Sequence, residues 1–64
     1  MITGTIKLWK EEAGWGFIEG DDGDDYFFNI VNVRKGQKML INVRVKFDVT
    51  HGHRGQEAEN VSLF

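Results

Sequence analysis

The sequence predicts an all-β domain, a small and partly open barrel of five short antiparallel strands. Three observations lead there. Short apolar runs alternate with clusters of Gly, Asp, Asn and His, the pattern of strands joined by tight turns. No window carries an apolar stripe at helical spacing over a useful length. The chain has 64 residues, too few for an immunoglobulin-type sandwich of about 100 residues but enough for a five-stranded barrel.

The strands follow in order. "GTIKLWK", residues 4–10, is the first. "GWGFIE", 14–19, is the second, and "GDDGDD", 20–25, is a turn by composition. "DYFFNI", 25–30, is the third. "NVRKGQKML", 32–40, has room for one short turn of helix, which Gly36 interrupts. "NVRVKFDV", 42–49, alternates strictly, with Val43, Val45, Phe47 and Val49 on one face and Arg44, Lys46 and Asp48 on the other. "HGHRG", 51–55, is a turn, and "EAENVSLF", 57–64, is the last strand.

The second and third strands carry apolar residues on both faces. Trp15 and Phe17 share a face, with Gly14, Gly16 and Ile18 opposite; Phe27 and Asn29 share a face, with Tyr26, Phe28 and Ile30 opposite. Either set could be core. The glycines suit the close quarters inside a tight barrel, which places Ile18 and Phe28 inside and Trp15, Phe17 and Phe27 outside. A chain this short has no second layer to cover those rings, and an exposed aromatic patch on a small domain has a use.

Charge narrows the uses. The net charge is −2, so nothing draws the whole molecule towards nucleic acid or anionic lipid. The halves differ: residues 1–32 hold two Lys against seven Asp or Glu, and residues 33–64 hold six Lys or Arg against three. Binding to a polyanion would depend on local fields and non-ionic contacts. There is no cysteine, hence no disulfide and no thiolate metal site. The N-terminus lacks the apolar core of a signal peptide and no transmembrane run is present, so the expected setting is cytoplasmic.

Sites for chemistry are few. "GDDGDD" lacks the Glu an EF-hand loop needs six residues after its Gly, a position held by Asn29. His51 and His53 sit in a glycine-rich turn without a clear third ligand; Asp48 and Glu57 are the only candidates nearby. Ser62 has no recognisable base, and a barrel this small offers no catalytic pocket. The expectation is a non-enzymatic binding domain, residues 1–64, with no cofactor and no metal.

Taken together, these segments resemble the bacterial cold-shock domain. Its opening motif G-x-V-K-W-F-N aligns with "GTIKLWK", its RNP1-like K-G-F-G-F-I with "AGWGFI", and its D-V-F-V-H with "DYFFN". Its V-x-F-x-V strand matches "VKFDV", and its closing G-x-[KR]-G-P-x-A-x-N-V matches "GHRGQEAENV". The resemblance runs through the whole chain in order, with only 31–42 shorter. It implies a five-stranded antiparallel OB-fold Greek-key barrel that binds single-stranded RNA or DNA. It implies base stacking on Trp15, Phe17 and Phe27, a backbone contact at Lys7, a base contact at Asp25 and a basic loop contact at Arg54.

The departures from the family are specific. Leu8 stands at the family's Trp and Trp9 at its Phe, so the indole is displaced by one position and reaches the aromatic face only if a bulge or twist re-aims it. Ala13 replaces a lysine, Asn29 a histidine and Ile30 an aromatic, while Gln37 is nearest to a missing loop aromatic. Lys10 stands at a family Asn and, with Arg34, Lys35 and Lys38 expected at the rim of the platform, replaces part of the missing positive charge. The expected activity is weak single-stranded nucleic-acid binding of low sequence specificity by a monomer, through Lys7, Trp9, Lys10, Trp15, Phe17, Asp25, Phe27, Asn29 and Arg54. The alternative is an interaction domain that kept the fold, lost most nucleic-acid affinity and docks a protein or another domain. The last strand reaches Phe64, so further domains could follow in a longer protein.

Overall fold

The computed structural model describes all 64 residues. Five strands follow in chain order: β1 (Ile2–Lys10), β2 (Trp15–Gly20), β3 (Asp25–Asn29), β4 (Arg44–Gly52) and β5 (Gly55–Leu63). They close into one barrel in the order β1-β2-β3-β5-β4. Every seam is antiparallel except β3–β5, a parallel contact at Phe27 and Glu57. A second parallel bridge, Val33 to Val61, extends that seam beyond β3. No helix is long and apolar enough to cross a membrane.

The predicted interior holds. Ile18 and Phe28 are fully buried, together with Ile6, Val45, Phe47, Ala58 and Val61, and Tyr26 and Met39 are nearly so. Met39 comes from the long connection before β4, whose later part is tied to β1 by backbone hydrogen bonds from Ile6 to Val43 and from Asn42 to Ile6. Gly16 sits as its face requires, whereas Gly14, expected on the same strand face, lies in the turn before β2 with a φ of 77°. Alanine at Gly16 would place its Cβ against the Leu8 carbonyl oxygen and 3.1 Å from the Phe28 ring.

Each strand differs from its expected span by one to three residues at one or both ends, and two of these shifts have a clear cause. The third strand ends at Asn29 rather than Ile30, because Asn29 caps a short 3-10 turn, Ile30–Asn32. Its side chain accepts from the Val31 N–H, and its own N–H donates to Asn32 Oδ1 at 3.1 Å. Ile30 therefore leaves the Tyr26–Phe28 face and stands exposed, and the one helical turn reaches only Asn32, the first residue of the 32–40 segment expected to hold it. The fourth strand runs on to Gly52, which reduces the last hairpin turn to His53 and Arg54. Val49 is 38% exposed, unlike its expected face-mates Val45 and Phe47. β1 pairs with β4 only as far as Ile2–Phe47, so the strand beyond Phe47 has lost one neighbour and its cover.

Two bulges set which side chains face where. In β4–β5, Lys46 pairs with Ser62 but Asp48 pairs with Glu59. The extra residue lies in β5, where Asn60 takes a left-handed φ of 53°, a region Asn tolerates better than most residues. The inward position accordingly moves from Ala58 to Val61, three residues on. In β1–β2, Ile6 pairs with Ile18 but Leu8 pairs with Phe17, leaving Lys7 as the extra residue.

The turn after β2 is fixed by its carboxylates. Asp21 accepts two guanidinium hydrogen bonds from Arg44, both 2.7 Å, and a third from the Thr3 hydroxyl. These hold its carboxyl well below the usual carboxylate range, the Arg44 bonds foremost. Asp22 accepts from the Tyr26 hydroxyl and from the Asp24 N–H, which lowers its own pKa and pushes the Tyr26 phenol up to about 12. The acidic turn is thus a fastener between strands.

Candidate nucleic-acid interface

Paired residues in an antiparallel sheet point to the same side, so register determines what lies on the outer face of β1, β2 and β3. β2 meets β3 at Trp15–Asn29, Phe17–Phe27 and Glu19–Asp25. That row places Trp15, Phe17 and Phe27 together. The Phe17 and Phe27 rings are 5.7 Å apart and inclined at 71°, Trp15 and Phe27 are 6.1 Å apart and nearly parallel at 29°, and Trp15 meets Phe17 edge-on at 6.1 Å. All three are half-buried, in contact with each other and still open to solvent.

The bulge at Lys7 decides what β1 adds. Beyond it Leu8 lies opposite Phe17, Trp9 opposite Gly16 and Lys10 opposite Trp15. Leu8 and Lys10 therefore join the aromatic face, and Trp9 turns to the other side. There Trp9, Gly16 and Phe28 form a row across three strands. The glycine between them lets the indole lie flat on Phe28, at 5.4 Å and 9°. Trp9, named among the binding residues on condition that a bulge or twist re-aim it, does not join the platform: the bulge is present, and it turns Trp9 to the opposite face. Trp9 remains half-buried and is flanked by two open depressions of about 330 and 350 Å³. Lys38 lines the first with Ile30 and Met39. The backbone N–H of Arg34 donates to the Val61 carbonyl at 2.8 Å.

The remaining predicted residues fall around the same face. Lys7 is exposed, with its Nζ 3.6 Å from Glu19. Asp25 is exposed beside Phe27 in sequence register, and Asn29 flanks the ring on the other side with its side-chain oxygen engaged in the 3-10 cap. Arg54, at the tip of the β4–β5 hairpin, holds its guanidinium carbon 4.6 Å from the Phe27 centroid. Glu57, which the sequence singled out only as a possible partner of His51 and His53, is brought to this face by its pairing with Phe27. Leu8 was marked only as a missing aromatic, and its position beside Phe17 follows from register alone. Cations and carboxylates nearly balance here: Lys7, Lys10 and Arg54 against Glu19, Asp25 and Glu57. Flat, π-rich ligands gain contact on such a surface, and phosphate gains little net field.

Among known families, the 'Cold-shock' DNA-binding domain matches residues 2–64. The chain is 41% identical over 64 residues to the cold shock-like protein CspLB of Listeria monocytogenes, covering 97% of each chain. It is 43% identical over 63 residues to the cold shock protein CspC of Bacillus subtilis, covering 95% of this chain and 96% of that one. Its structure is similar to that of Drosophila Unr CSD456, with a TM-score of 0.81 and 26% identity over 98% of this chain, which spans 26% of that longer one.

Proposed function

This chain belongs to the cold-shock DNA-binding domain family, and from that premise we propose that it is a single-stranded nucleic-acid-binding module of low sequence specificity that takes RNA or DNA on its aromatic face as a monomer. The observation that carries the reading is the contiguous set Trp15, Phe17 and Phe27, all in mutual ring contact and all half-open to solvent. Each ring offers a stacking surface to one base, at about 1–3 kcal/mol per base and with little dependence on its identity. Lys10 beside Trp15, Lys7 at the bulge and Arg54 over Phe27 supply positive charge for phosphates. Leu8, Ala13, Asn29 and Ile30 remove groups on which the family relies, and the carboxylates on the face oppose phosphate. Binding is therefore weak, with a shallow dependence on salt.

The test is a titration of the protein with oligo-dT and oligo-U at low salt, followed by tryptophan fluorescence and by backbone amide shifts. Quenching with shifts centred on Trp15, Phe17 and Phe27 is the expected result. Phe27→Ala weakens binding by about 1–3 kcal/mol with the β-sheet circular dichroism retained. No quenching and no shifts at millimolar concentration sink the reading in favour of the interaction-domain alternative.

A further inference from the structure

Arg54 is placed in a way that simple phosphate neutralisation does not explain. Its guanidinium lies over the Phe27 ring, 4.6 Å from the centroid to the guanidinium carbon. Phe27 is one of the three rings on which the proposed binding rests. No carboxylate forms an ion pair with Arg54; the ion pairs of the protein are Lys7–Glu19, Arg44–Asp21 and the N-terminus with Asp48. The base of its turn is fixed by the Gly52–Gly55 pair, with Gly55 at a φ of 89°. The exposed side chain itself is held only by the ring. In the free protein, then, a cation already occupies the place where a base would stack.

We propose that Arg54 is a specificity-determining residue that makes the Phe27 subsite selective for a base carried on a phosphodiester strand. This rests on the nucleic-acid reading of the same face. A flat ligand entering over Phe27 displaces the guanidinium and forfeits its cation–π contact, a factor of about two to five at an exposed site. An uncharged ligand gives nothing back. A nucleotide within a strand brings a phosphate next to its base, and the released guanidinium, planar and carrying several donors on a long stem, reaches it and forms charge-assisted hydrogen bonds. The penalty thus falls on free nucleosides and other uncharged aromatic molecules and is recovered by polynucleotide. On a face whose other charges nearly cancel, this exchange is how the site tells a strand from any flat molecule.

The experiment compares two probes on the unaltered 64-residue chain and on Arg54→Ala: short oligo-dT, and a thymine peptide nucleic acid of the same length, whose backbone is uncharged. Fluorescence quenching at low salt reads both. Arg54→Ala is expected to tighten the peptide nucleic acid about two- to fivefold, to weaken oligo-dT, and to lower the salt slope of oligo-dT binding by about one. An independent readout is the Arg54 side-chain proton shifts, displaced by the Phe27 ring current in the free protein and returning towards ordinary values when oligo-dT binds. Arg54→Ala moving both affinities in the same direction, or leaving the peptide nucleic acid unchanged, overturns the inference while the nucleic-acid reading stands. Failure of oligo-dT to bind the unaltered protein overturns both.

Discussion

Replacing Gly16 with alanine tests the packing that turns the aromatic rings outward. Gly16 is in extended backbone, so alanine meets no conformational objection there. In the unfolded chain the substitution even helps, by about 0.4–1 kcal/mol of lost backbone freedom. The obstacle is space. The new methyl would lie inside contact distance of the Leu8 carbonyl oxygen and 3.1 Å from Phe28 Cε1. Leu8 is held in the β1–β2 ladder beside the Lys7 bulge, and Phe28 is fully buried with Trp9 stacked on it at 5.4 Å. Neither neighbour can move alone. Overpacking of this kind costs about 1–3 kcal/mol, with the upper part of that range apt for a backbone clash, so the net loss is about 2 kcal/mol. For a domain of this size that lowers the melting temperature by about 8–16 °C. Urea and thermal unfolding followed by far-ultraviolet circular dichroism measure it. Because Gly16 lies between Trp15 and Phe17 in sequence, the same shift disturbs both rings, and oligo-dT affinity falls with stability. A variant within about 0.5 kcal/mol of the unaltered protein, at unchanged denaturant slope, would falsify the view that close approach at Gly16 orients the platform.

Leu8→Trp adds a ring directly opposite Phe17 on the outer face, and oligo-dT binding is expected to tighten by about 1–3 kcal/mol; unchanged affinity by fluorescence titration counts against Leu8 facing the ligand. Asp21 has a depressed carboxyl pKa because Arg44 and Thr3 favour its ionised form. Its contribution is therefore complete above the ordinary value of 3.8 and is lost as the pH falls below it; Asp21→Asn should flatten the acid limb of a melting-temperature profile, and an unaltered limb contradicts the Arg44 contact. Tyr26 is the single tyrosine, with its phenol pushed up to about 12 by Asp22 and by burial. Phenolate absorbance in the folded protein should appear only near that pH, and Asp22→Asn should bring it down towards the ordinary 10.0. Stability that depends on the protonated phenol is full below pH 10.0 and declines as the pH rises through about 12.

Much of the fold was legible because it depends on local pattern. The alternation Val43–Val45–Phe47 points one face inward, and those residues pack as expected up to the end of the β1 partner. The choice between two apolar faces on β2 and β3 was settled by the size of Gly16, and Ile18 and Phe28 are buried accordingly. Ile30 and Val49 were misplaced for different reasons: one follows a cap made by a side chain that also fitted a strand, the other depends on where a distant strand stops pairing. On the candidate site, the three rings were found from sequence because they sit at alternate positions in two short strands. Trp9 was counted with them and lies on the other face, because its face depends on the strand beside it.

The sequence by itself determined an all-β barrel of five strands with Trp15, Phe17 and Phe27 on its outside, since period-two alternation, turn composition and glycine size are properties of each segment alone. Tertiary structure decided what surrounds those rings. One unpaired residue at Lys7 sends Leu8 and Lys10 outward and lays Trp9 on Phe28 across Gly16. A residue's own strand does not record such a slip, because register exists only between two strands and a shift of one exchanges the faces. The same holds for Arg54 and Glu57. Both lie more than 25 positions from Phe27 in sequence, and the parallel β3–β5 seam and the hairpin tip bring them to its ring.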